Sequence, residues 1–274
     1  MTSLEAIIYG IVQGITEFLP VSSSGHLALA HNFFGVEGES NIGFVVLLHL
    51  ATLFAVFFVY YKEVFLIIKS FFTLLAKLFT GRINQGLSYG EKLFLMLVIA
   101  SLPLIPMSFL ADRVEYISGV SWVIGMLLII NGSMLYLADK FSKGKEGLEQ
   151  SDYQKPFFVG LFQVFGVLPG ISRSGSTITG GLVFGFNRQD AVKLSFLMSI
   201  PAILGACVFK LPAFFKEGIT DNMLVPSILG SITAAVVGFF AIKLLQYIAR
   251  NRGFGFFSIY CIIIGTTAII ADIL

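Results

Sequence analysis

Apolar residues run through this chain in blocks of two lengths. Long blocks occupy about 44–61, 91–111, 120–138, 191–209, 224–247 and 254–273, each close to the ~20 residues a helix needs to cross bilayer hydrocarbon. Shorter blocks come in pairs, 4–19 with 26–34 and 157–168 with 175–186, and Leu19-Pro20 and Leu168-Pro169 close the first member of each. No member of these pairs is long enough to cross. Backbone at membrane depth must satisfy its own polar groups, so each pair reads as a re-entrant helix hairpin. Segment 62–82 is apolar with lysines at 62, 69 and 77, which fits either an amphipathic helix at the interface or a continuation of the preceding span.

The order of blocks predicts an all-α polytopic membrane protein. Residues 1–138 hold one hairpin and three spans, 139–156 form a polar cytoplasmic linker, and 157–274 hold a second hairpin and three spans. An odd number of crossings turns the second half over, so the single membrane domain is expected to be an inverted repeat. Loop charges orient it. Lys62, Lys69, Lys77, Arg82, Lys92, Lys140, Lys143, Lys145, Lys155, Arg188, Lys193, Lys243, Arg250 and Arg252 fall on one side, against Arg113, Lys210 and Lys216 on the other, which puts the first side in the cytoplasm and both termini outside.

Composition narrows the class. At 56% hydrophobic and 12% charged over 274 residues, the chain carries more apolar surface than a soluble domain can bury. A net charge of +2 gives no reason to expect a nucleic-acid partner. Cys207 and Cys261 both lie in apolar runs, as packing residues do. The start, MTSLEAIIYG, has an acid and no basic stretch, unlike a cleaved signal peptide.

Candidate chemistry gathers at the two breaks. Gly10-Ile-Val-Gln13 leads to Leu19-Pro20-Val-Ser22-Ser23-Ser24-Gly25, and Gly160-Leu-Phe-Gln163 leads to Leu168-Pro169-Gly-Ile-Ser172-Arg173-Ser174-Gly175. The copies lie about 150 residues apart, as Gln13 to Gln163 and Gly25 to Gly175 show, and read as an internal duplication. Where the first has Glu17 and His26, the second has Arg173. A cation at that depth costs roughly 2.5 kcal/mol or more and normally faces a partner or a polar cavity.

Each break is a serine-rich turn followed by a helix start. Two helix N-termini converging inside the membrane make an anion site, for which phosphate is the usual occupant. Arg173 adds a planar, permanently charged fork. Ser22, Ser24, Ser172, Ser174 and Thr177 can bind phosphate or only cap helices. Gln13 and Glu17, four residues apart, share a helix face. Glu17 can act as base, hold a divalent cation, orient His26 or pair plainly with Arg173. His26 opens the second half-helix and can serve as nucleophile, proton carrier or cap. His31 and His49 read as interfacial or interhelical groups.

Gln13-Gly-Ile-Thr-Glu17-Phe-Leu-Pro-Val-Ser-Ser23-Ser-Gly-His26 and Pro169-Gly-Ile-Ser-Arg173-Ser-Gly-Ser-Thr177 closely resemble the two signature motifs of the bacterial undecaprenyl-diphosphate phosphatase family, the bacitracin-resistance phosphatases. The resemblance runs essentially end to end. It implies an integral enzyme of the bacterial inner membrane that removes the terminal phosphate of undecaprenyl diphosphate, recycling the lipid carrier of peptidoglycan synthesis and conferring bacitracin resistance. It also implies an inverted repeat with re-entrant hairpins, a site reached from the extracytoplasmic face, and a divalent cation such as magnesium or calcium.

By position, the resemblance makes Glu17 a motif carboxylate, Ser23 and His26 the catalytic serine and histidine, and Arg173 the phosphate-binding arginine. Ser172, Ser174 and Thr177 match the polar residues flanking it, while Gly25 and Gly175 support the turns. The first acidic position of the motif is Gln13 here, which leaves Glu17 as the motif carboxylate available to a metal. In the expected mechanism, Arg173, the helix ends and the cation grip the diphosphate, with Glu17 orienting His26. His26, Ser23 and water all remain open as the attacking group. The alternative is a polyprenyl-phosphate flippase or secondary transporter, since broken helices in inverted repeats also build transporters. The sequence leaves open whether the chain works alone or as a homodimer.

Overall fold

The computed structural model describes residues 1–35, 42–82, 86–141, 144–217 and 221–273. Helix dominates throughout. In order these are α1 (Ser3–Phe18), α2 (Ser23–Phe34), α3 (Ile42–Val59), α4 (Tyr61–Phe79), α5 (Tyr89–Ser101), a 3₁₀ run (Leu102–Leu110), α6 (Ala111–Ser118), α7 (Ser121–Phe141), α8 (Gln154–Phe165), α9 (Arg173–Val183), α10 (Arg188–Glu217), α11 (Asp221–Asn251) and α12 (Gly255–Ile273). Among the described residues, an isolated β-bridge joins Glu146 to Phe186.

Six helical stretches among the described residues are long and apolar enough to cross a membrane: Ile42–Val59, Tyr89–Met107, Ser121–Phe141, Arg188–Pro212, Asn222–Asn251 and Gly255–Ile273. They match the six long blocks of the sequence, and the chain is a multi-pass membrane protein. Large side chains turn outward accordingly, with Phe58 73%, Phe209 69% and Phe240 65% exposed.

Two expectations change in form. The block 91–111 is not one α-helix, because α5 gives way to 3₁₀ geometry at Leu102; Pro103 and Pro106 lack the N–H that an α-helical turn requires. Segment 62–82 becomes a helix of its own, α4, set off from α3 at Tyr60. It turns Phe65, Phe72 and Phe79 outward at heptad spacing and buries Ser70. The expected linker 139–156 is shorter as irregular chain, since α7 continues to Phe141 and α8 begins at Gln154; residues 142–143 within it lie outside the described residues.

Close backbone approaches lock the helices. Against α11, a methyl group on Gly10 of α1 would fall 2.4 Å from the Gly230 carbonyl oxygen. Between α7 and α12, one on Gly125 would fall 2.6 Å from the Gly265 oxygen. In lipid there is no hydrophobic drive between helices, so such small-residue contacts carry the association. Phe18 and Phe196 meet edge to face at 5.6 Å in the largest apolar cluster. Short α9 lies in the middle, buried from Ser174 to Leu182 and packed on α7, α8 and α10.

Candidate active site

The two breaks meet. Ser22 caps α2, its Oγ accepting from Gly25 N at 3.2 Å, and Ser172 caps α9, accepting from Gly175 N at 3.0 Å. Each start leaves first-turn N–H groups without an intrahelical acceptor. Gly170 passes at φ +103°, and a Cβ there would strike the Ile124 oxygen at 2.7 Å. A Cβ on Gly25 would come within 2.8 Å of Gly170 Cα, so only bare backbone lets the turns touch.

Serines stitch this contact from both directions. Ser22 Oγ accepts from Gly170 N at 3.1 Å and donates to Ile171 O at 3.3 Å. In return Ser174 Oγ donates to Leu19 O at 3.3 Å. Ser22 holds φ +72°, the one non-glycine at positive φ among the described residues, a conformation that persists only where surroundings over-determine it. Asn131 on α7 completes the clamp: its Nδ2 donates to Pro20 O at 3.0 Å and its Oδ1 accepts from Ser172 N at 3.0 Å.

Inside this frame Glu17 is the hub. Its Oε1 accepts from Arg173 Nη2 at 2.5 Å, and its Oε2 accepts from Ser23 Oγ at 2.9 Å and Gln13 Nε2 at 3.1 Å. Glu17 is 8% exposed. Arg173 Nη1 is buried and has no partner among the described residues, leaving one arm of its fork uncommitted. His49, on α3, lies within electrostatic reach of the Glu17 carboxylate and anchors its Nδ1 to Val45 O at 2.8 Å.

His26 is held apart from Glu17. Its Nδ1 lies 2.8 Å from Ser22 O and its Nε2 lies 2.8 Å from the Tyr260 hydroxyl. A carbonyl can only accept, so Nδ1 carries the proton and Nε2 accepts from Tyr260. The two rings also stack, 5.6 Å apart and 6° from parallel. The expectation that Glu17 orients His26 is therefore replaced: a backbone carbonyl and Tyr260 orient it, because Glu17 is already turned to Arg173 and Ser23.

The structure brings Gln13, Glu17, Ser23 and Arg173 into direct contact and places His26 on the same helix as Ser23. It turns other candidates inward. Ser22, Ser172, Ser174 and Thr177 are at most 2% exposed, and Thr177 Oγ1 faces Ser195 Oγ of α10 at 2.7 Å. Ser24 stays exposed at the start of α2, and His31 is exposed in its last turn. Asn131 and Tyr260 were not among the sequence candidates. An amide within an apolar span was a readable signal for Asn131; a tyrosine in the aromatic-rich last span was none.

Among the described residues, no group of three or more His, Cys, Asp or Glu side chains forms a metal cage. Glu17 can still supply one carboxylate oxygen. That fits an ion such as Mg²⁺, which is commonly held by one or two carboxylates plus substrate phosphates.

The sequence pattern of bacitracin resistance protein BacA matches residues 6–267. Similar curated proteins include one of Alkaliphilus metalliredigens, 40% identical with both chains fully covered, and one of Methanobrevibacter smithii, 37% identical over all of this chain and 99% of its own. A third, of Carboxydothermus hydrogenoformans, is 38% identical over 98% of this chain and 97% of its own, and all three carry the name undecaprenyl-diphosphatase. A match over nearly the whole length, with both breaks inside it, places this chain in the bacitracin resistance protein BacA family.

Proposed function

We propose that this protein hydrolyses undecaprenyl diphosphate to undecaprenyl phosphate and inorganic phosphate, the activity its relatives are named for. One observation carries the reading: Ser23 donates to Glu17 at 2.9 Å, and Glu17 also holds Arg173, whose second guanidinium nitrogen is uncommitted. A hydroxyl on a carboxylate, beside a free arginine arm, is a nucleophile with its base next to an anion grip.

In this mechanism Arg173 Nη1, Ser24 and the first-turn N–H groups of α2 and α9 bind the terminal phosphate. Ser23 Oγ attacks phosphorus and its proton passes to Glu17. The bond from phosphorus to the bridging oxygen breaks, and undecaprenyl phosphate leaves with that oxygen. Water then attacks the phosphoserine, giving inorganic phosphate, and Ser23 regains a proton. His26, with both ring nitrogens engaged, shapes the site rather than attacking. Ser22, Ser172, Ser174 and Thr177 build the two turns.

Charge supports a divalent cation. Glu17 and Arg173 neutralise one another, so the diphosphate arrives without a net protein countercharge. Glu17 would be the protein carboxylate that holds a magnesium or calcium ion, which would supply that countercharge to the diphosphate. A transporter of the same lipid would use the arginine and the helix ends but has no need of the Ser23–Glu17 pair.

We also propose the finer architecture. The pairs α1–α2 and α8–α9 are re-entrant hairpins of an inverted repeat, 1–138 and 157–274, with the linker cytoplasmic and the site open to the outer face of the bacterial inner membrane. The reciprocal bonds of Ser22 to Ile171 O and Ser174 to Leu19 O support the repeat. There the activity would sustain peptidoglycan synthesis and resist bacitracin.

The test is phosphate release from a long-chain prenyl diphosphate by detergent-purified protein, with Ser23→Ala and Arg173→Ala as controls, with and without chelator. Release that both variants lose is expected. Folded wild-type protein that binds the lipid yet never hydrolyses it, whatever metal is added, rules the reading out.

A further inference from the structure

The second hairpin contains polar groups that the site leaves unused. Gln163 of α8 is 0% exposed, and among the described residues neither its Oε1 nor its Nε2 has a partner. Ser176 and Thr179 of α9, 1% and 3% exposed, have hydroxyls that also lack a partner among the described residues. An orphaned buried polar group costs about 1–3 kcal/mol, so four such atoms in the protein interior call for a ligand.

The register of the hairpin puts them together. A Cβ on Gly180 would lie 3.3 Å from Val159 Cα, and one on Gly166 would lie 2.5 Å from Arg173 Cα. The helices are antiparallel, so four residues on from Val159 and four back from Gly180 set Gln163 opposite Ser176. Arg173, Ser176 and Gly180 share one face of α9 at helical spacing. Thr179, one turn beyond Ser176, lines a groove of about 640 Å³ with Phe162, Leu137, Phe141 and Gly144 near the linker.

We propose that the seam between α8 and α9 is a water-binding site that joins this linker-side groove to Arg173. The ligand is water because the lining is neutral and offers both donors and acceptors: an amide and two hydroxyls, enough for about two molecules at the usual three hydrogen bonds each. The seam gives Arg173 a hydrated approach separate from the mouth through which a lipid would enter. That water from it serves hydrolysis rests on the phosphatase reading; the hydration and its route do not.

Cysteine accessibility tests this without requiring turnover. In a background with Cys207→Ala and Cys261→Ala, single variants Thr179→Cys, Ser176→Cys and Ile178→Cys are reconstituted in vesicles and treated with a small water-soluble methanethiosulfonate applied to one face at a time. Ile178, 0% exposed in the apolar core, is the dry reference, and Lys145→Cys in the linker marks its face. Ser176→Cys should react at least tenfold faster than Ile178→Cys, from the face that labels Lys145→Cys. Adding Gln163→Leu should slow it about tenfold. Reaction no faster than at Ile178, reaction only from the opposite face, or indifference to Gln163→Leu each overturns the proposal. A protein that labels this way but releases no phosphate would keep the seam and lose the phosphatase reading.

Discussion

Arg173 and Glu17 are 156 positions apart in sequence, yet the guanidinium Nη2 lies 2.5 Å from the carboxylate Oε1. The plain ion pair is thus real. It is also incomplete, since Arg173 Nη1 keeps no partner among the described residues and Glu17 still accepts from Ser23.

Removing either member should abolish turnover for different reasons. Arg173→Lys keeps the charge but loses the fork, and phosphate release should fall by about 10²-fold or more, on the scale of losing one oxyanion donor. Glu17→Gln should cost at least as much while lipid binding persists. Wild-type turnover in Arg173→Lys would show that a point charge suffices.

If Ser23 is the nucleophile, rapid quenching with a labelled diphosphate should trap phosphoserine in wild type and none in Ser23→Ala. His26→Ala should slow formation of the intermediate without moving the label. Label recovered on His26 would reverse the two roles.

Tyr260→Phe keeps the ring stacked on His26 and removes only the hydroxyl at Nε2. Nitrogen NMR of labelled histidine should keep the Nδ1–H form of His26, held by Ser22 O, while the Nε2 resonance shifts as its hydrogen bond is lost, with turnover down about tenfold. Tyr260→Leu should do the same and also lower the melting temperature. An unchanged Nε2 resonance in Tyr260→Phe would leave Tyr260 as packing.

Asn131 touches no part of the proposed substrate site, yet Asn131→Leu strands Ser172 N in the protein interior and leaves Pro20 O only the weak Cys261 Sγ donor at 3.7 Å. At about 1–3 kcal/mol per orphaned group, thermal unfolding in detergent should move down by several degrees. Asn131→Asp should fall between, because it keeps the acceptor for Ser172 N and loses the donor to Pro20 O.

The long apolar blocks were legible because a bilayer imposes length and hydrophobicity directly on sequence, and all six reappear as helical stretches, the one at 91–111 passing into 3₁₀ geometry. The breaks were legible through Leu-Pro and serine caps, which act locally. The duplication of Gln, Leu-Pro and Ser-X-Ser-Gly further marked which turns belonged together. What the sequence by itself determined, then, was the six long spans, the two breaks and the residues Gln13, Glu17, Ser23, His26 and Arg173 as a group. Only the tertiary structure decided how that group is wired. Glu17 turned to Arg173 and Ser23 rather than His26, Tyr260 took the histidine, and Asn131 clamped both turns. Each choice depends on which helices stand side by side, and helix packing in lipid is set by small residues meeting across distant segments, a relation that no local pattern encodes.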